Sequence, residues 1–222
     1  MNSSKNQFLI ICLFLVFSFP AALFSQDENL AYDFVKAATS GKLEEVKTLL
    51  QRGVNINARV EHGYSALILA AGNGQEEVVK YLLEKRADVN LQADLKETAL
   101  HLAAGNGRTN IVELLVTHGA DFRVSDTGLT PLMMAVAGGH SEVAKYLLSK
   151  GENVNAKQPD GWTVLMQASA KGDPATIKLL LAKGADAKPK NKDGKTASEI
   201  AREYKHEEMA KLIEDSSQPR PN

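Results

Sequence analysis

The side chains in this sequence that could do acid–base or metal chemistry are five histidines and many carboxylates. Histidine titrates near neutral pH, and His, Asp, Glu and Cys are the common zinc ligands. The histidines are His62, His101, His118, His140 and His206. No two of them are four residues apart, and the one cysteine, Cys12, lies in an apolar N-terminal segment. The spacing matches no usual zinc site, so we expect no metal and no cofactor; a metal site assembled from distant residues is the alternative.

The sequence also lacks the short motifs that mark common enzyme active sites. It contains no Gly-x-Ser-x-Gly elbow, no phosphate-binding loop and no His-Glu-x-x-His pair. Several carboxylates instead recur at regular intervals: Glu77 and Glu142 share one position of a repeating pattern, and Asp88, Asp121 and Asp186 share another. Recurring residues belong to a scaffold, so we predict that the protein is not an enzyme. The competing interpretation is an enzyme, or a small-molecule or metal-binding protein, built around His62 and Asp94.

The elements that position these side chains follow from a segment of about 33 residues that repeats along the chain. A serine or threonine precedes a short apolar run at Ser65, Thr98, Thr130, Thr163 and Thr196, with spacings of 33, 32, 33 and 33 residues. A second marker occupies Gly53, Arg86, Gly119, Gly151 and Gly184, with spacings of 33, 33, 32 and 33 residues. The two markers share one period and one single-residue deletion. A period of this length predicts a stacked array of small units rather than one globular core.

Each repeat has the pattern of two short helices. The serine or threonine caps the start of the first helix, and Pro131 falls in a first turn, where a helix tolerates proline. A glycine, which suits a left-handed residue, recurs at the expected end of the first helix: Gly41, Gly74, Gly107, Gly139 and Gly172. A second amphipathic helix follows. About eight further residues then form a hairpin-like finger that leads into the next unit.

Three stretches carry the clearest form of the pattern: Thr98-Ala99-Leu100-His101-Leu102-Ala103-Ala104, Gly119-Ala120-Asp121 and Gly139-His140-Ser141-Glu142-Val143-Ala144-Lys145-Tyr146-Leu147-Leu148. They resemble the ankyrin repeat, and the resemblance covers residues 30 to about 214. It implies an all-α ankyrin-repeat solenoid of stacked helix–turn–helix units with finger loops. It also implies that His101 and His140 brace adjacent units by hydrogen bonds.

The repeat spacing predicts how the chain is organised. The segments are a signal peptide at 1–25, an N-terminal capping repeat at 26–60, ankyrin repeats at 61–93, 94–125, 126–158 and 159–191, a C-terminal capping repeat at 192–215 and a disordered tail at 216–222. Terminal repeats need a polar outer face, and the charged helices of the last unit supply one. We expect about six stacked units in a monomeric protein.

The first 25 residues have the composition of a secretory signal peptide. Lys5 precedes an apolar run from Phe8 to Phe19, and small residues lead to a polar segment after Ser25. The run is shorter than the roughly 20 residues of a membrane span, so we predict cleavage and no membrane attachment afterwards. An uncleaved N-terminal anchor is the alternative. The remaining chain has no cysteine and no Asn-x-Ser/Thr site, so we predict a periplasmic or secreted protein.

The charge balance bears on the partner class. The sequence has 26 Lys and Arg residues and 27 Asp and Glu residues, and removal of Lys5 leaves 25 against 27, a net charge of −2. Nucleic-acid-binding proteins carry a basic stripe, so we expect no nucleic-acid partner. The lysines from Lys183 to Lys195 are interrupted by Asp186 and Asp193, which is typical of a solvated surface.

The candidate binding residues occupy equivalent positions that differ between units. Immediately before the Ser/Thr caps lie Tyr64, Glu97, Leu129, Trp162 and Lys195, which we call the pre-cap row. The fingers add Glu61, Asp94, Leu95, Phe122, Asp126 and Asp160. The ankyrin resemblance implies that these positions line the concave face, which usually binds partners. Because Trp and Tyr dominate interface hot spots, we predict that Tyr64, Leu129 and Trp162 anchor a protein partner. Packing against adjacent fingers is the alternative.

Small residues beside this row, Gly72, Gly105 and Ala137, are expected to leave room for side chains of the partner. The sequence therefore predicts a non-catalytic protein–protein interaction module with an unidentified partner. The resemblance extends to small exported bacterial ankyrin proteins that protect periplasmic enzymes such as catalase, and this is one version of the prediction. A secreted effector that acts on a host protein is another.

Overall fold

The computed structural model describes residues 26–122 and 125–217, except for the side chains of residues 26–28 and 217. The predicted signal peptide and the last five residues of the predicted tail lie outside these ranges. The helices are α1 (Gln26–Thr39), α2 (Leu43–Gln51), α3 (Ala66–Asn73), α4 (Glu76–Glu84), α5 (Ala99–Gly105), α6 (Thr109–Thr117), α7 (Pro131–Gly138), α8 (Ser141–Ser149), α9 (Val164–Lys171), α10 (Pro174–Ala182), α11 (Ala197–Glu203) and α12 (Glu207–Ser217).

The twelve α-helices found among the described residues form two layers. The first helices of successive pairs pack on one another in the order α1, α3, α5, α7, α9 and α11, and the second helices stack in the same way from α2 to α12. Each pair is also closed by contact between its own two helices. This arrangement confirms the predicted all-α solenoid, in which each unit buries its apolar face against its neighbours.

The predicted caps begin the first helices. The Ser65 hydroxyl accepts a hydrogen bond from the Ile68 N–H at 3.3 Å, and Thr130 and Thr163 accept equivalent bonds at 3.2 Å. Thr196 forms a full capping box with Glu199. A cap of this kind contributes about 1 kcal/mol, which is substantial for helices of seven to nine residues that are marginal in isolation.

Glycine ends most of the first helices. Gly74, Gly139 and Gly172 adopt φ of 81°, 80° and 69°, and their N–H groups bond the last carbonyl oxygens of α3, α7 and α9. This confirms the predicted left-handed caps. The second helices from α2 to α10 are each followed by a residue in the same left-handed conformation. After the second helix α4 this residue is Arg86, with φ of 64°, whereas the other units have glycine at this position.

Alanine pairs allow the first helices to approach closely. Ala70, Ala71, Ala103 and Ala104 are completely buried, and larger side chains such as Leu132 fill the space around them. Burial of a leucine contributes about 2 kcal/mol relative to exposure, so a continuous file of such residues joins the units. Met133 and Met166 also belong to this core.

The segments between helix pairs form the predicted hairpin-like fingers. Arg59 and Ser65 form an antiparallel bridge, as do Lys157 and Thr163. Each finger therefore returns the chain to the start of the next first helix, and the pre-cap row lies on that returning arm. The C-terminal boundary differs from the prediction, because α12 continues through Ser217 into the predicted disordered tail.

Candidate functional site

The pre-cap row begins with a hydrogen bond between two of its own members. The Tyr64 hydroxyl donates to Oε2 of Glu97 at 2.9 Å, and both side chains are half-buried. The two residues lie in consecutive units, so this bond fixes the tyrosine ring across the joint between them. The row therefore presents Tyr64 in one orientation rather than as a free side chain.

Leu129 and Trp162 continue the row in the next two units. Both are half-buried and pack against the core, while their backbone groups hold the fingers together. The Trp162 carbonyl accepts from the Gln158 N–H at 2.8 Å, and the Leu129 carbonyl lies 3.2 Å from Nε2 of His101. Each side chain therefore packs within the solenoid while part of its surface faces solvent, and binding of a partner there stays a prediction.

The predicted acidic finger residues lie near the tips of the fingers, and two of them are paired. Arg59 contacts Asp94 at 2.9 Å, and Lys96 contacts Asp126 at 2.8 Å. Glu61 is exposed, and Asp160 caps the turn of its own finger through the Trp162 N–H. Exposed pairs of this kind contribute under about 1 kcal/mol each, so their main effect is to align neighbouring fingers.

The two remaining finger residues differ in exposure. Leu95 is 52% exposed at the tip of its finger, and Phe122 is half-buried against the core. Leu95 is thus an exposed apolar side chain beside acidic residues, whereas Phe122 contributes to packing.

Two of the three small residues beside the row, Gly72 and Gly105, do not leave the predicted space. A Cβ atom built on Gly72 would lie 3.1 Å from Cβ of Leu102, and one built on Gly105 would lie 3.0 Å from Cε of Met134. Side chains of the next unit therefore already fill these positions. The Met134 side chain itself is half-buried. The expectation that Gly72 and Gly105 leave room for side chains of the partner was wrong.

The histidines within the repeats act as scaffold. The Nδ1 atom of His101 lies 2.9 Å from the Thr98 hydroxyl and 3.2 Å from its backbone nitrogen, so this buried ring joins the α5 cap to the next finger. His140 bonds the Gly105 carbonyl at 3.1 Å, and His118 bonds the Leu114 carbonyl at 2.8 Å. These contacts confirm the predicted bracing roles of His101 and His140. Across residues 26–122 and 125–217, no group of three or more His, Cys, Asp or Glu residues is placed to hold a metal ion.

Glu152 is the residue of chemical interest that the sequence analysis missed. It is 5% exposed, its Oε1 accepts from the Leu132 N–H at 2.8 Å, and its Oε2 has no partner among the described residues. Burial raises the pKa of its carboxyl from the ordinary 4.5 to about 7, against the opposing effects of the Leu132 N–H and the Thr130 hydroxyl. Its position holds alanine after α4, α6 and α10, so the departure from the repeat was visible in the sequence.

Comparison with known protein families decides the assignment of the fold. The model described as ankyrin repeats (3 copies) matches residues 4–93, 90–158 and 151–221. The chain belongs to the ankyrin-repeat family. Repeats of this family are typically non-catalytic elements that mediate protein–protein interaction. A sequence comparison with curated proteins finds no match. Within the described part of this ankyrin-repeat protein, no helix has the length and apolar character needed to span a bilayer.

One solved structure similar to this chain contains a bound enzyme. It is the complex of the predatory endopeptidase Bd0816 from Bdellovibrio bacteriovorus with the immunity protein Bd3460, and the matching chain is 34% identical to ours with a TM-score of 0.75. The match covers 82% of our chain and 97% of the other. In that structure the immunity protein is in complex with the endopeptidase.

Proposed function

We propose that this ankyrin-repeat protein is exported and binds an exported enzyme through the pre-cap row and the finger tips, without chemistry of its own. The observation that carries the proposal is the alignment of Tyr64, Leu129 and Trp162 at equivalent positions of different units, each half-buried on the returning arm of its finger. The repeat does not require these residue types, because Glu97 and Lys195 occupy the same position in other units.

Side chains of this surface are held in place in the unbound protein, which supports tight binding. The bond from Tyr64 to Glu97 and the ion pair between Arg59 and Asp94 link fingers of neighbouring units before any partner arrives. Ordering side chains on association costs about 0.5–1.5 kcal/mol each, and a surface that is already ordered avoids part of that cost. Aromatic anchors surrounded by polar groups are also the usual composition of interface hot spots.

The immunity protein Bd3460 suggests the class of the partner. The match to our chain covers 97% of the length of the neighbour's chain, and the immunity protein in that structure is in complex with an endopeptidase. An exported endopeptidase of the organism that produces our chain is therefore the partner that we propose, and the effect of binding would be to protect that organism from its own enzyme. The alternatives of a host protein or another periplasmic enzyme use the same surface and are separated by the experiment below.

The test is capture from an envelope extract followed by an endopeptidase assay of the captured material. The bait is the chain from residue 26, and the test variant is Tyr64→Ala/Leu129→Ala/Trp162→Ala. The matched control replaces three exposed residues of second helices: Glu113→Ala/Lys145→Ala/Lys178→Ala. Circular dichroism and thermal unfolding establish that each bait is folded.

We expect the wild type and the control to retain an enzyme whose endopeptidase activity falls as bait is added, and the test variant to lose it. Because Leu129 and Trp162 also pack on the core, a second variant, Leu95→Asp, changes only an exposed side chain and should weaken capture without altering stability. Equal capture by all baits would place the site elsewhere. Capture of a protein without endopeptidase activity would replace the proposed partner class.

A further inference from the structure

Adjacent units of the solenoid are joined at their fingers by backbone hydrogen bonds. The Asp94 N–H donates to the His62 carbonyl at 2.9 Å, and the Asp126 N–H donates to the Leu95 carbonyl at 2.9 Å. The corresponding donor near the C-terminus is the Lys192 N–H, which bonds the Asp160 carbonyl at 2.8 Å. These three bonds tie α3 to α5, α5 to α7, and α9 to α11 through the fingers that precede these helices.

The equivalent donor at the remaining joint, between the fingers that precede α7 and α9, is Pro159. Proline has no N–H, so this bond cannot form whatever the position of the fingers. The ring of Pro159 instead packs on Gly128, where an added Cβ would overlap its Cδ at 2.3 Å. No hydrogen bond fixes the direction of this contact between the Pro159 ring and the Gly128 backbone, so we expect the two fingers to be able to slide past each other.

A second set of bonds joins the units from α1 to α7 at the opposite end of the first helices. Here the residue after the helix-ending glycine reaches the last carbonyl oxygens of the preceding first helix: Gln75 bonds the Thr39 carbonyl at 3.1 Å, Arg108 the Gly72 carbonyl at 3.4 Å and His140 the Gly105 carbonyl at 3.1 Å. Each of these side chains is a donor, which an orphan helix carbonyl requires.

The same position between α9 and α10 holds Asp173. Its carboxylate accepts from the Ala175 N–H at 3.0 Å and so caps its own helix. An ionised carboxylate has no proton to donate to a carbonyl at the end of α7. The joint between α7 and α9 therefore lacks the helix-end bond as well as the finger bond, and α7 packs less extensively on α9 than α5 does on α7.

The second-helix layer of the same joint is intact. Asn155 donates to the Gly184 carbonyl at 3.1 Å and accepts from the Asp186 N–H at 2.8 Å, as Asn90 does with Gly119 and Asp121 two units earlier. The helices α8 and α10 also pack as α6 and α8 do. A joint held along one layer and not bonded along the other can bend about the bonded layer.

We infer that the solenoid has a hinge between the α7–α8 and α9–α10 pairs, which divides it into a block of α1–α8 and a block of α9–α12. The hinge separates Leu129 from Trp162, so its angle sets the distance between anchors of the pre-cap row. Two changes of residue type, Pro159 and Asp173, produce it at a single joint. Domain hinges of this kind use a few positions that release local constraints. The inference concerns the unbound chain and does not depend on the proposed partner.

Spin-label distances within the chain test the hinge. The chain is expressed from Met1 to Asn222 with Cys12→Ser, so that the introduced cysteines are its only sites for nitroxide labels. One pair, Thr127→Cys with Asp193→Cys, spans the hinge, and the control pair, Glu61→Cys with Thr127→Cys, spans two bonded joints. All three positions are exposed in fingers, and each pair skips one unit.

We expect a distance distribution for the hinge pair that is at least twice as wide as that of the control pair. The double substitution Pro159→Asp with Asp173→Gln restores both hydrogen-bond donors. It uses the residue types that other units have at these positions, Asp126 and Gln75. We expect it to narrow the distance distribution of the hinge pair to the width of the control pair. Equal widths in the unmodified background would overturn the inference. So would a hinge-pair width that the double substitution leaves unchanged while thermal unfolding shows a folded chain.

Discussion

Replacement of the buried Glu152 by glutamine should stabilise the protein at alkaline pH. The carboxyl lies against the start of α7 with its Oε1 bonded to the Leu132 N–H and its Oε2 without a partner in the described structure. Burial raises its pKa from 4.5 to about 7. Glutamine keeps the shape and the Leu132 bond, because its amide oxygen accepts as the carboxylate does, but it carries no charge into the interior.

The sign follows from proton binding. With a folded-state pKa above the unfolded one, the folded chain binds more protons between pH 4.5 and about 7, so stability from this group is fully present below pH 4.5 and is lost as the pH rises to about 7. A displacement of the pKa from 4.5 to about 7 corresponds to about 3 kcal/mol as an upper value. Glu152→Gln should therefore match the wild type at pH 4 and exceed its free energy of unfolding by up to about 3 kcal/mol at pH 8.

Urea unfolding followed by circular dichroism at pH 4, 6 and 8 measures this difference, and all other titrating groups cancel between the two proteins. Glu152→Ala serves as a control, because it places the residue of the other units at this position and removes the charge together with the Leu132 bond. A stability difference between wild type and Glu152→Gln that stays constant from pH 4 to pH 8 would refute the reasoning.

Three further predictions concern single side chains. Arg86→Gly should raise the free energy of unfolding by about 1 kcal/mol in a urea titration, because Arg86 holds a left-handed φ at a position where other units have glycine. Gly151→Ala introduces a side chain at the equivalent position of another unit. It should lower the free energy of unfolding by a similar amount, although the added methyl group meets no atom. Tyr64→Phe should lower it by about 0.5–1.5 kcal/mol, and a double-mutant cycle with Glu97→Gln should show that the loss comes from their bond. Leu95→Asp should leave the free energy of unfolding within about 0.5 kcal/mol of the wild-type value, since the Leu95 side chain is exposed.

The repeat made most of the fold predictable from the sequence. A hydroxyl before an apolar run and a glycine after it define a short helix through local backbone chemistry, and both devices appear where Ser65, Thr130, Gly74 and Gly139 place them. The bracing role of His101 was implied by the ankyrin resemblance; its contact with Thr98 is local, whereas its contact with the Leu129 carbonyl joins two units. Local rules that recur with a period reinforce one another, so consistency between units strengthens each assignment.

Features that depend on contact between units were harder to predict. The space beside Gly72 is filled by Leu102 from the next unit, which a pattern within one unit does not reveal. The shifted pKa of Glu152 likewise depends on how completely its neighbours exclude water. The helix α12 ends later than predicted, at Ser217, because hydroxyl and acidic residues near a helix end do not by themselves fix the last turn.

The central claim, that the pre-cap row binds a protein partner, is tested most directly by a binding titration of the captured enzyme with purified wild type and with Tyr64→Ala/Leu129→Ala/Trp162→Ala. Loss of three anchors at about 1 kcal/mol or more each should weaken binding by about 100-fold or more, while Glu113→Ala/Lys145→Ala/Lys178→Ala should bind like the wild type. A folded anchor variant that binds as tightly as the wild type would contradict the account.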